Sequence, residues 1–252
     1  NKVLTALMVL AIALGIGAAM TTLTVFHVLS GDPIPHKSGR LFYVQLDPQT
    51  REGYQPGEEP EWQLTRFDAE ELLRQKKAPR QAMMTGGGAI VEPQSGSSKP
   101  FQVGTRYTSA DFFPMFDTPF LFGQGWSATE DEAHARVAVI SRALNEKLFG
   151  GESGVGRELR LDGHALRIVG VLDAWNPRPS FYDVVGSAYD REEEVFVPFS
   201  TSRDLVLGRR GSMNCFGREI VNDPTALSAP CSWIQYWVEL DSPADAAAFK
   251  TY

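Results

Sequence analysis

Residues 3–29 contain no Asp, Glu, Lys or Arg, and this run, VLTALMVLAIALGIGAAMTTLTVFHVL, limits what the chain can be. As a helix it reaches roughly 40 Å, more than the ~30 Å hydrocarbon core of a bilayer requires. A cleaved signal peptide has a shorter apolar stretch behind a basic start, and a soluble core helix is seldom apolar on every side at this length. Residues 1–30 are therefore read as a transmembrane helix ended by the breaker Ser30-Gly31-Asp32-Pro33. The flanking charges, Lys2 on one side and Lys37 and Arg40 on the other, give it no orientation. The chain begins at Asn1 and stops at Tyr252 inside a helical pattern, which reads as a piece of a longer protein.

Residues 31–252 hold most of the charge and both cysteines. A formal charge of −7 argues against a nucleic-acid or anionic-lipid surface, since those need clustered Lys and Arg. Cys215 and Cys231 are compatible with a disulfide in an oxidising compartment or with two buried thiols, and the sequence leaves both open.

Periodicity predicts an α+β domain behind the helix. Strands are expected at 39–46, 81–92 and 99–107, the last two forming a hairpin across 94–98, and a helix at 65–77 with Phe67, Leu72 and Leu73 on one face. Gly86-Gly87-Gly88 marks a bulge or a close backbone approach. The aromatic-rich stretch at 108–126 should form a satellite core from Phe112, Phe113, Met115, Phe116, Phe120, Leu121 and Phe122. A buried strand at 137–141, a helix ended by Gly150-Gly151 and a hairpin turning at Asp162-Gly163 follow. The acidic run at 190–194 is read as a solvated loop, and VFVPFS as an edge strand because of Pro198. SWIQYWVEL reads as a strand, and the final helix starts at Ser242 and Pro243, with Asp245 completing a capping box.

Catalytic patterns do not assemble. GESGVGRE at 151–158 has the glycine spacing of a phosphate-binding loop but lacks its Lys and Ser/Thr, and it leads from a helix into a strand rather than the reverse. His27, His36, His134 and His164 show no ligand spacing, and no G-x-S-x-G elbow occurs. No catalytic residue, metal ligand or cofactor is assigned. Ala11, Gly15 and Ala19 recur every four residues of the apolar helix, which suits close packing by another helix; general enrichment of small residues in membrane spans explains them equally well.

Several stretches, in order, resemble the MacB-like periplasmic core domain of FtsX-type ABC-transporter permeases: ALMVLAIALGIGAAM, then YTSADFFPMFDTPFLFGQGWS, then VAVISRALNEKLFGGESGVGRELRLDGHALRIVGVL, then VFVPFS. The resemblance implies an extracytoplasmic mixed α/β domain with two subdomains, a porter-like part from 39–108 plus 236–252 and an inserted β-rich part from 109–200. Residues 201–235, with both cysteines, depart from the pattern. It also implies a bacterial inner-membrane protein whose residues after about 30 lie on the periplasmic or extracellular side. The implied partners are an ABC ATPase, a second permease subunit, the bilayer and a possible periplasmic adaptor. Rival expectations are a cargo- or lipoprotein-binding module, which needs an apolar groove between the subdomains, and a membrane-anchored hydrolase, which needs a nucleophile and base in reach.

Overall fold

The structure is a computed structural model that describes residues 2–29, 31–49, 53–93, 99–175, 177, 180–186, 192–217 and 221–252. Helix α1 (Lys2–Leu29) is exposed at every side chain from Lys2 to His27, as suits a helix whose neighbours are lipid or other membrane helices. Thr21, Thr22 and Thr24 return their hydroxyls to the carbonyls of Gly17, Ala18 and Met20, so these three hydroxyls are satisfied within the helix. Beyond the break, Asp32 Oδ1 accepts the Ile34 N–H at 2.9 Å and a 3-10 turn over Ser38–Arg40 delivers the chain into β1 (Leu41–Tyr43).

Local chemistry sets the next boundaries. After β2 (Leu64–Thr65), Thr65 caps α2 (Arg66–Gln75) by accepting the Asp68 N–H, and Lys76 ends it in the left-handed region. The long hairpin β3 (Arg80–Val91) and β4 (Phe101–Thr108) leads to α3 (Phe112–Met115) and β5 (Phe120–Gly123). Ser127 and Glu130 form a reciprocal capping box on α4 (Ala128–Glu132). Strand β6 (Val137–Ile140) is buried at all four residues; α5 (Arg142–Phe149) is capped by Ser141 and ended by left-handed Gly150. Asp162 and Gly163, both at positive φ, turn β7 (Glu158–Leu161) into β8 (His164–Leu172) as a two-residue hairpin turn demands. Then come β9 (Glu193–Pro198), α6 (Phe199–Asp204), the short β10 (Arg209–Arg210) and β11 (Asn214–Cys215), β12 (Cys231–Glu239) and α7 (Pro243–Thr251).

One mixed sheet runs β1-β12-β3-β4-β9-β6-β8-β5, with β4–β9 and β6–β8 parallel and the remaining pairs on this path antiparallel. Alternation along the strands sorts side chains between its faces. Met83, Tyr107, Ile140, Val195 and Val197 join the core under α2, α5 and α6. Ala82, Met84, Val139 and Phe196 face an aromatic core where Phe112 meets Phe113, Phe116, Trp175 and Tyr182 at ring separations of 5.0–5.9 Å.

Several expectations need correction. Phe67 is 58% exposed, because α2 turns Ala69, Leu72 and Leu73 to the sheet instead. The strand expected at 39–46 is regular only over Leu41–Tyr43, with an isolated antiparallel bridge from Leu46 to Glu61. Leu121 is exposed, and the register shift between Phe120 and Phe122 in the β5–β8 pair turns Phe122 to the opposite core. β9 is not an edge: it lies between β4 and β6, and Pro198 is tolerated because it is the last strand residue, opposite Thr108 and starting α6. The glycine run makes no bulge, as β3–β4 pairing is unbroken from Met84 to Val91. The hairpin tip at 94–98 lies outside the described residues.

Candidate functional site

The linker that follows the apolar helix is fastened to the domain by a compact charge cluster. Ile34 is buried in the aromatic core and its carbonyl accepts the N–H groups of Lys37 and Ser38. Lys37 then donates to the Pro114 carbonyl and to Asp117, each at 2.6 Å, and His36 lies 2.7 Å from the other Asp117 oxygen. Asp117 sits just past α3 at φ 48, so this pair ties the linker to the turn after α3. Burial pushes the Asp117 carboxyl upward, but the hydrogen bonds from Lys37 and His36 outweigh it and hold it below the usual range.

The second tie reaches β12. Glu239, 1% exposed, faces Arg80 at 2.7 Å, Arg40 at 3.3 Å and Lys37 at 4.0 Å. Arg40 also pairs with Asp241, and its carbonyl accepts the Leu240 N–H. With Leu41 opposite Glu239 in register, the strand leaving the membrane helix and the strand preceding the last helix lie side by side. The linker at 36–40 is therefore held at two points, Asp117 and Glu239.

A second buried cluster lies deeper. Arg106, 1% exposed, pairs with Asp183 and Glu193, and Asp183 also accepts Gln235 Nε2 at 2.8 Å while Tyr182 donates to Glu193 at 3.0 Å. Burial alone would lower the guanidinium, but the two carboxylates hold it above its ordinary value. Burial raises both acids too: for Asp183 the Arg106 charge wins and the carboxyl stays low, whereas Glu193 ends above the usual range. One arginine cannot fully compensate two buried acids. Sequence reasoning missed this cluster by reading 190–194 as solvated loop. The β4–β9 register skips Glu194 between Gly104↔Glu193 and Thr105↔Val195, which turns Glu193 to the Arg106 face; period-two reading cannot foresee that shift.

The predicted residues fall as follows. Ala11, Gly15 and Ala19 stand four residues apart on α1, all exposed, with nothing within 4 Å of a Cβ built at Gly15. They are remote in sequence from the junction, and Ser30 lies outside the described residues. Cys215 and Cys231 are opposite each other across β11–β12 and joined, with Cα atoms 4.0 Å apart. The glycines of 151–156 serve the turn from α5 into β7, where Gly154 N–H bonds Asn145. His134 pairs with Asp204, and among the described residues no group of three or more His, Cys, Asp or Glu is placed to hold a metal.

Residues 5–251 match the MacB-like periplasmic core domain. The chain belongs to that family. Among its relatives, the pyoverdine export ATP-binding/permease protein PvdT of Pseudomonas entomophila is 29% identical over 124 residues, 48% of this chain and 17% of that protein. The macrolide export ATP-binding/permease protein MacB of Marinobacter nauticus is 25% identical over 146 residues, 58% of this chain and 20% of that protein. This chain thus spans about a fifth of the length of these curated relatives. The periplasmic region of MacB from Actinobacillus actinomycetemcomitans superposes with a TM-score of 0.55 at 13% identity, covering 89% of this chain and 85% of that one. The MacB-like fold behind an apolar N-terminal helix is that of the permease component of ABC transporters, and it fits a membrane protein with an extracytoplasmic domain.

Proposed function

We propose that the chain is the first membrane helix and outer domain of a permease subunit that passes ATP-driven motion across a bacterial inner membrane for export, extraction or signalling. The observation that carries this reading is the double anchorage of the linker, Lys37 and His36 on Asp117 and three cations on Glu239. Force transmission needs stiff joints between elements rather than a catalytic constellation. On this reading the ATPase is supplied by a partner or by another part of the protein, a second permease subunit completes a dimer, and the domain lies outside the cytoplasm. The porter-like part (39–108 and 236–252) and the inserted part (109–200) then meet along β4–β9 and act as one lever. In the full-length transporter, Asp117→Ala combined with Glu239→Gln should keep ATP hydrolysis but lose the work coupled to it; intact coupling in that variant would refute the proposal.

Ala11, Gly15 and Ala19 form the packing face of α1 against another permease helix. Gly15→Leu is expected to reduce dimer assembly at least fivefold in the membrane while the outer domain keeps its melting temperature; unchanged assembly counts against this face. The Cys215–Cys231 bond pins the 201–235 segment to β12. Protein isolated without reductant should take up no alkylating reagent after unfolding, and two labels per chain would show free thiols. The cargo-binding alternative calls for an apolar groove between the two parts. Two grooves lie between the parts, one of about 720 Å³ beside Phe101, Leu148 and Phe149 and one of about 530 Å³ beside Leu73, Met83 and Phe199, and a further groove of about 920 Å³ lined by Phe42, Val44, Leu72, Val238 and Phe249 lies between β1, α2 and α7, inside the porter-like part.

A further inference from the structure

At the far end of the β3–β4 hairpin lies a cavity of about 720 Å³ between α5 and β7. Its floor is apolar: Val91 and Leu159 are buried, and Phe101, Leu148 and Phe149 are half-buried. Its rim carries Lys99, Lys147, Arg157 and Arg160 against Glu92 and Glu158, and among the described residues Lys99 and Lys147 are the two of these cations that enter no salt bridge. Glu92 is engaged by Arg160 at 3.3 Å, and Arg157 is held from outside the cavity by Glu152 at 2.8 Å. Two of the cations also lie on the aromatic floor: Lys147 Nζ is 3.1 Å from the centre of the Phe101 ring, and the Arg157 guanidinium is 4.8 Å from that of Phe149. The Glu194 carboxyl feels the Lys147 charge, yet burial still leaves it above its ordinary value.

We propose that this groove binds small amphiphilic organic anions, with an aromatic or aliphatic body on Phe101, Leu148 and Phe149 and an acidic head against Lys147. Lys99 and Lys147 select the head and the apolar floor selects the body. Its size falls within that of small-molecule sites. The groove, at Val91 and Phe101, lies about 36 Å along β3 from the junction at Arg80. The site is independent of force transmission and stands or falls separately from it.

The probe is 8-anilinonaphthalene-1-sulfonate, titrated by fluorescence into the whole chain in lipid nanodiscs, with uncharged N-phenyl-1-naphthylamine as its control. Saturable sulfonate binding should weaken tenfold or more in Lys147→Glu and in Phe149→Ala, and threefold or more in the milder Lys147→Gln should Lys147→Glu fail to fold. Lys250→Glu, at the groove inside the porter-like part, should bind as the unaltered chain does, and the uncharged probe should not distinguish Lys147→Glu from it. Equal sulfonate affinity in the Lys147 variants overturns the proposal, as does an equal loss in Lys250→Glu. So does saturation by an acidic peptide such as poly-glutamate without any binding of the sulfonate probe.

Discussion

Replacing Arg106 by Met is expected to lower the unfolding free energy by about 3–5 kcal/mol, the cost of stranding buried carboxylates without their cation. The side chain is 1% exposed, and its partners Asp183 and Glu193 are only 17% and 13% exposed, so water replaces it poorly. Methionine fills much of the volume, which leaves charge rather than a cavity as the source of the loss. Urea unfolding followed by tryptophan fluorescence checks it. Adding Asp183→Asn and Glu193→Gln to Arg106→Met should recover more than half of the loss, because no buried charge is then left alone. A loss below 1 kcal/mol in the single variant would mean that the cluster is wetter than its geometry indicates.

Gly87→Ala should be the second costly change, at about 2–4 kcal/mol, combining overpacking with a broken buried hydrogen bond. A Cβ at Gly87 would lie 2.4 Å from Thr105 Oγ1 and 2.4 Å from the Tyr107 ring. That ring lies over the glycine from the facing strand, and its hydroxyl donates to the Gly208 carbonyl at 3.0 Å, which holds β10 against β3. Moving the ring releases the strap. Gly86→Ala is the internal control, since its Cβ would meet only the Arg210 carbonyl at 3.6 Å, an ordinary contact. Thermal melts of the two variants should differ by well over 5 °C; equal melts would show that Tyr107 yields freely.

Much of the fold was legible because local rules and burial agree. The apolar run, the Asp162-Gly163 turn, the Ser141 and Gly150 ends of α5 and the alternation of β7 and β8 each follow from residues a few positions apart. The Ser242 cap of α7 also forms, with Ser242 accepting the Asp245 N–H and donating to its carboxylate. What was illegible depends on partners distant in sequence. Pro198 suggested an edge, but the parallel pairing of β4 with β9 places it inside the sheet. Asp117 and Glu239 looked like ordinary acids, yet they meet cations 80 and more positions away. The one available hint was the density of cations just after the apolar helix, His36, Lys37 and Arg40, with Asp32 the one acid within five residues of them.

The central claim is that the linker behaves as a stiff joint. It is tested most directly by electron–electron double resonance on the chain in nanodiscs, with spin labels at Thr22→Cys on α1 and Thr129→Cys in the outer domain. The account predicts a single narrow distance distribution that broadens at least twofold when Asp117→Asn and Glu239→Gln are added, with the melting temperature of the domain largely retained. A broad distribution in the parent chain, or an unchanged one in the doubly substituted chain, would contradict it.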